Sequence, residues 1–178
     1  SLLPMMYLGN PQVRRALRQE IPKHDIIIMS YDILRNDIDF ITRVEPTSSS
    51  SGGNSNNNDI QIYNYCVLDE GHIIKNSKTK VTRAVKKVQT NHRLLLSGTP
   101  IQNNVLELWS LFDFLMPGFL GTEKEFNQKY GKPILASREA KSNSKEHEAG
   151  ALALEALHRQ VLPFLLRRVK EDVLHDLP

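Results

Sequence analysis

Two carboxylates stand side by side at Asp69-Glu70, at the end of the apolar run Tyr63 to Leu68. An apolar strand carrying a pair of acids at its tip is the arrangement called Walker B. The first carboxylate holds Mg²⁺, usually through water, and the second orients or polarises an attacking water. Phosphoryl transfer needs such a pair because it is driven mainly by positioning and charge neutralisation. Further along, Leu94-Leu95-Leu96 runs into Ser97-Gly98-Thr99-Pro100-Ile101-Gln102-Asn103. Hydroxyls at Ser97 and Thr99 beside Gly98 suit a strand-end loop that hydrogen-bonds to the acidic turn and to phosphates. Each signal also has a plainer reading. An acidic pair after a strand can be a solvated loop, and a lone Ser or Thr an ordinary cap or turn.

The flanking pattern says what positions these residues. Pro11 to Glu20 reads as an amphipathic helix, with Val13, Ala16 and Leu17 on one face and Arg14, Arg15 and Arg18 on a solvated one. Asp25 to Met29 is a β-branched run suited to a strand buried on both faces. A helix is expected over Asp32 to Arg43, with Ile33, Leu34, Ile38 and Ile41 inward. Tyr63 to Leu68 reads as a second buried strand and Arg93 to Leu96 as a third strand, with Lys80 to Gln89 and Val105 to Met116 as helices. Thr122 with Glu125 spells a capping box for a short helix to Tyr130. Lys132 to Lys145 is polar and weakly patterned. Helices are expected over Glu148 to Val161 and Phe164 to Leu174. Pro46 to Asn58 contains only Pro, Thr, Ser, Gly and Asn and reads as a flexible surface insertion.

Alternation of strand and helix, then helices alone, predicts an α/β fold: a mostly parallel sheet flanked by helices over 1–116, and a helical extension over 117–178. In such sheets ligands sit at the C-terminal strand ends. Ser30-Tyr31, Asp69-Glu70 and Ser97-Gly98-Thr99 all fall there.

Composition agrees with a globular domain. The 178 residues are 40% hydrophobic and 24% charged, which excludes wholesale disorder. No apolar run approaches the roughly 20 residues that span a bilayer, and the N-terminus has no signal-peptide pattern. The lone Cys66 excludes an internal disulfide, fits a reducing compartment and reads as core. His24, His92, His147, His158 and His175 share no zinc-ligand spacing. The net charge of +3 permits a nucleic-acid partner without establishing one. The chain opens without Met and closes as a helical pattern ends, so both ends read as cut from something longer.

The longer strings are more specific. Asp69-Glu70-Gly71-His72, with Ile73-Ile74-Lys75-Asn76 after it, resembles the Asp-Glu-x-His box (motif II) of helicase-like ATPases. Ile28-Met29-Ser30-Tyr31-Asp32 is similar to motif Ib, and Ser97 to Pro100 with Gln102-Asn103 to motif III. Leu106 to Leu111 and Leu165 to Val173 resemble the helix after motif III and the segment leading to a second lobe. Together they resemble the first ATPase lobe, RecA-like in fold, of Swi/Snf-type DNA translocases in helicase superfamily two. Arg35 to Phe40, Phe112 to Glu123 and Tyr130 to Arg138 further resemble the branch of TATA-binding-protein-associated ATPases, which dissociate TATA-binding protein from promoter DNA. Gly71 departs from the Ala usual in the box, and the insertion departs from a compact connection.

The resemblance implies ATP and Mg²⁺ as cofactors, with Asp69, Glu70, Ser97, Gly98 and Thr99 about the nucleotide and Asp69 on the metal. Asp69, Glu70 and His72 are then the catalytic candidates, His72 linking the ATP site to motif III. It implies double-stranded DNA along Ser30, Tyr31, Lys75, Asn76 and Gln102, since backbone tracking needs hydroxyls, amides and cations. TATA-binding protein is expected to bind through other parts of the parent, and the nucleus is the expected location. Lys75 and Lys78 are equally explained by solubility, and Arg167, Arg168 and Lys170 serve either lobe coupling or a charged helix face. Trp109 and its neighbouring Phe residues read as core. No Gly-x-x-x-x-Gly-Lys-Ser/Thr string and no second-lobe arginine finger occur, so the parent is expected to hydrolyse ATP and this chain alone is not. The resemblance implies that the strand leading into that phosphate-binding loop neighbours the strand ending at Ser97; its absence would leave a long, apolar, unpaired edge, so poor stability alone is expected. The alternatives are a nucleosome remodeller's motor and a non-catalytic DNA-binding scaffold.

Overall fold

In a computed structural model, the described residues are 1–43, 61–98, 105–139 and 142–167. They fall in two compact units, Ser1–Leu120 and Gly121–Pro178.

The first unit alternates strand and helix: β1 (Pro4–Met6), α1 (Pro11–Leu17), β2 (Ile26–Ile28), α2 (Tyr31–Ile41), β3 (Ile62–Leu68), α3 (Lys80–Lys87), β4 (Gln89–Leu95) and α4 (Val105–Leu115). β1 pairs with β2 in parallel, Pro4 opposite Ile26 and Met6 opposite Ile28. β3 pairs with β4 in parallel, from Ile62 opposite Gln89 to Leu68 opposite Leu95. The α/β class with parallel strands and flanking helices is therefore as expected. β1 was not: three residues are too few to show a period-2 pattern.

Local chemistry starts the helices. Asn10 caps α1 by accepting from the Gln12 and Val13 amides, with Pro11 at the first helical position. Ser30 caps α2 and Thr79 caps α3 in the same way. Their apolar stripes then meet. Leu34, Ile38 and Ile41 of α2 pack with Ala84, Val85 and Val88 about α3, over Leu68 and Ile74. Each such side chain contributes about 1.5–3 kcal/mol when fully buried. α4 adds Leu111 and Phe114, and Trp109 is buried as expected.

Two expectations are corrected. α1 was read with its arginines in solvent and Val13 and Ala16 inside. Instead Arg14 is buried while Val13 and Ala16 are exposed. The reason is Asp37 on α2, also buried. It accepts from Arg14 Nε at 2.8 Å and Nη2 at 3.1 Å, and from the Tyr7 hydroxyl at 2.6 Å. Arg14 Nη1 also donates to the Gly9 carbonyl at 2.6 Å. Arg18 lays its guanidinium 4.3 Å from the centre of the Phe40 ring. Second, neither β2 nor β3 is buried on both faces: Ile27, Tyr63, Cys66 and Leu68 pack on the core, while Ile26, Ile28, Tyr65 and Val67 are exposed. Alternation turns one face to the helices, and no described element covers the other.

The second unit is helical: α5 (Glu123–Phe126), α6 (Lys132–Ala136) and α7 (Ser144–Val161), with a π-helical turn at Asn127–Gly131. The Thr122/Glu125 capping box forms as expected. A second one, Asn143 with Glu146, opens α7 four residues before its expected start. α6 lies in the stretch read as polar and weakly patterned, because five residues make little more than one turn. Phe126, Tyr130 and Ile134 are buried here, as are Leu157 and Val161 of α7. Gly150 lets α7 approach: a Cβ there would lie 2.9 Å from the Pro133 carbonyl. Leu165 to Arg167 are not helical. The rest of the helix expected over Phe164 to Leu174, like the insertion at Pro46 to Asn58, lies outside the described residues.

Candidate functional site

The parallel register of β3 and β4 decides where the acids go. Leu68 and Leu95 are opposite each other as the last pair, so Asp69 and Ser97 leave the sheet at the same rim. Two further bonds stitch the tips together. The Leu96 amide donates to the Leu68 carbonyl at 2.8 Å, and the Gly71 amide to the Leu96 carbonyl at 2.7 Å.

The turn Asp69-Glu70-Gly71 is tightly shaped. Asp69 Oδ1 accepts from the Glu70 amide at 2.9 Å. Glu70 sits in the left-handed region, φ 50° and ψ 49°, the one positive φ outside glycine among the described residues. Gly71 is pressed against β4: a Cβ there would lie 2.3 Å from Leu95 Cγ. Glycine at this box position is thus a packing requirement of this chain. Both carboxylates remain exposed. His72 Nδ1 approaches Glu70 Oε2 to 3.1 Å, but finds no aligned hydrogen-bond partner among the described residues.

The remaining candidates divide. Ser97 and Gly98 are exposed at the β4 tip, and a Cβ on Gly98 would meet nothing within 4 Å. Thr99 and Gln102 lie outside the described residues. Ser30 is the α2 cap, its Oγ accepting from the Ile33 amide at 3.3 Å. The Tyr31 hydroxyl donates to the Asp69 carbonyl at 2.6 Å. Burial, then the charges of Cys66, Asp69 and Glu70, push its pKa up to about 12. Burial likewise pushes the Cys66 thiol up. Lys75 Nζ lies 3.4 Å from Glu107 Oε1 on α4. Asn76 builds the turn into α3, Oδ1 accepting from the Lys78 amide at 2.9 Å and its carbonyl from Thr82 Oγ1 at 2.7 Å.

Sequence reasoning missed Glu107 and Ser110. Ser110 is fully buried and donates to the Ile74 carbonyl at 2.7 Å, tying α4 to the segment after the acidic turn. A hydroxyl between Trp109 and Leu111, on the apolar side of the helix, was the available signal.

No group of three or more His, Cys, Asp or Glu side chains gathers as a metal cage among the described residues. Mg²⁺ does not require one, since it is usually held by one or two carboxylates plus waters and substrate phosphates. Exposed Asp69 with Glu70 at a strand tip fits that donor set.

The family model described as "SNF2-related domain" matches residues 1–178. The chain is 59% identical over 177 residues to TATA-binding protein-associated factor 172 of Homo sapiens, covering 99% of this chain and 9% of that protein. It is 60% identical over 174 residues to TATA-binding protein-associated factor MOT1 of Saccharomyces cerevisiae, covering 98% and 8%. It thus spans less than a tenth of these relatives. The solved SWI2/SNF2 ATPase core of Sulfolobus solfataricus in complex with dsDNA superposes with a TM-score of 0.72 at 32% identity, covering 99% of this chain and 31% of that one. Matched along its whole length, with the fold of a SWI2/SNF2 ATPase core, the chain belongs to the SNF2-related domain family.

Proposed function

We propose that this chain is part of an ATP-dependent motor that translocates on double-stranded DNA and dissociates TATA-binding protein from promoter DNA. One observation carries the reading: the acidic turn Asp69-Glu70 and the Ser97-Gly98 turn leave adjacent parallel strands at one rim, stitched by the Gly71–Leu96 bond. The names of the similar proteins support the choice of TATA-binding protein, and the DNA-bound core supports double-stranded DNA. Residues 1–116 then serve as part of the first lobe, and 117–178 as an extension towards a second. Promoter DNA implies the nucleus.

In this reading Asp69 holds the magnesium of Mg–ATP, which supplies charge neutralisation on the phosphates. Glu70, held in its left-handed conformation, aims its carboxylate at the attacking water. His72, 3.1 Å away, restrains that carboxylate. Ser97 and Gly98, exposed at the β4 tip, offer a hydroxyl and an open backbone to the nucleotide, and Thr99 is assigned to the same role. Ser30, Tyr31, Lys75, Asn76 and Gln102 follow the DNA backbone, where a phosphate competes with Glu107 for the Lys75 ammonium.

The test is Glu70→Gln in the full-length protein. ATP binding is expected to persist and DNA-stimulated turnover to fall about 10²–10⁴-fold, the usual worth of a positioned acid–base group. Near-normal turnover would refute the assignment.

A further inference from the structure

The acidic turn is held in a conformation its own residues do not favour. Left-handed backbone at a residue with a Cβ persists only where the surroundings over-determine it. Two restraints at Glu70 come from the neighbouring strand β4: the Gly71 amide bond to Leu96 at 2.7 Å, and Leu95 packed against the Gly71 Cα. The third comes from a different element. Tyr31, the first residue of α2, reaches across to donate its hydroxyl to the Asp69 carbonyl at 2.6 Å. Its ring is half-buried and packs on the core. The body of α2 is itself anchored, through Asp37, to Arg14 and Tyr7. A shift at the start of α2 therefore pulls on the peptide next to Glu70.

We propose that Tyr31 is a positioning residue: its hydroxyl, bonded to the Asp69 carbonyl, sets the orientation of Glu70 and passes to the acidic turn any displacement of Ser30-Tyr31 when DNA engages that segment. This rests on the reading of Glu70 as the water-orienting carboxylate. It also changes what Tyr31 offers to DNA, because the hydroxyl is already committed inside the protein.

The experiment uses the full-length protein carrying Tyr31→Phe, which keeps the ring and removes only the hydroxyl. ATP turnover is measured at saturating double-stranded DNA, with KM for ATP and DNA affinity by fluorescence anisotropy. Turnover is expected to fall about three- to tenfold, the factor corresponding to one neutral hydrogen bond. KM and DNA affinity are expected to stay within about twofold, the split expected for a group that acts on the reacting geometry rather than on binding. Unchanged turnover at saturation overturns the proposal. So does a loss of DNA affinity with normal turnover at saturation, which would make Tyr31 a plain DNA contact. Glu70→Gln, assayed in parallel, separates the two levels. If it hydrolyses ATP normally, the functional reading fails and this inference with it. If it is inactive while Tyr31→Phe is normal, only the positioning role fails.

Discussion

Gly71 shows how one residue couples packing to chemistry. The box it belongs to usually carries Ala, yet here a methyl at this position would overlap the whole end of Leu95, with Cδ1 and Cδ2 at 2.7 and 2.4 Å. Either Leu95 leaves its place or the acidic turn lifts away from β4. Gly71→Ala is therefore expected to destabilise the β3–β4 pair by about 1–3 kcal/mol, the usual cost of overpacking. Loss of hydrogen-exchange protection at Leu68 and Leu96 would report it. Adding Leu95→Ala should recover part of that loss, and the two changes should couple by about 0.5–3 kcal/mol, as touching residues do. Strict additivity would mean that the two side chains do not compete for space. His72 and Glu70, by contrast, are both partly solvated, so their 3.1 Å contact adds little to the stability of the fold.

Among elements, the packing of α1 on α2 depends on charge more than on apolar area. The Arg14 guanidinium, through its hydrogen bonds, holds the Asp37 carboxyl below its ordinary value of 3.8, and the Tyr7 hydroxyl acts in the same direction. A depressed carboxylate pKa contributes stability that is complete above the unfolded value and is lost as pH falls through the folded one. The α1–α2 contact should thus hold from neutral pH down to about 4 and loosen below. Hydrogen exchange at α1 followed against pH would show this. Asp37→Asn should weaken α1 at neutral pH and remove that acid-dependent step; an unchanged acid profile would contradict the account. In the second unit, α7 relies on its Asn143–Glu146 capping box, with the Glu146 amide bonded to Asn143 Oδ1 at 2.9 Å. Asn143→Ala is expected to cost about 1 kcal/mol, visible as fraying of the first turn of α7.

At the scale of the whole chain, the most consequential feature is apolar surface. Tyr65, Val67, Leu94 and Leu96 lie along β3 and β4 or at their tips, with exposures of 61, 53, 49 and 48%. The β1–β2 pair exposes Met6, Ile26 and Ile28 as well. Contiguous apolar strands of this kind ordinarily meet a partner or aggregate. Residues 1–178 expressed alone are therefore expected to bind a hydrophobic dye strongly and to elute as aggregates on gel filtration. A soluble monomer with one cooperative thermal transition and no dye binding would show that the surface needs no cover.

The candidate turns and the strands that carry them were legible in the residues because their signals are local. An acidic pair, a hydroxyl–glycine turn and their apolar lead-ins are neighbours along the chain, and strand–helix alternation already implies a parallel sheet with both turns at one rim. Helix starts were readable for the same reason, since a cap such as Thr122 and its Glu125 partner sit within one turn. What depended on distant partners was not readable. Arg14 looked like a solvated arginine until Asp37, 23 residues away, was folded beside it. The Tyr31 hydroxyl had no partner in view until the fold set it against the carbonyl of Asp69, 38 residues on. A side chain's type sets which bonds it can make, but only the folded chain decides which donor and acceptor meet. Burial then makes that pairing obligatory, because a buried polar group without a partner is costly.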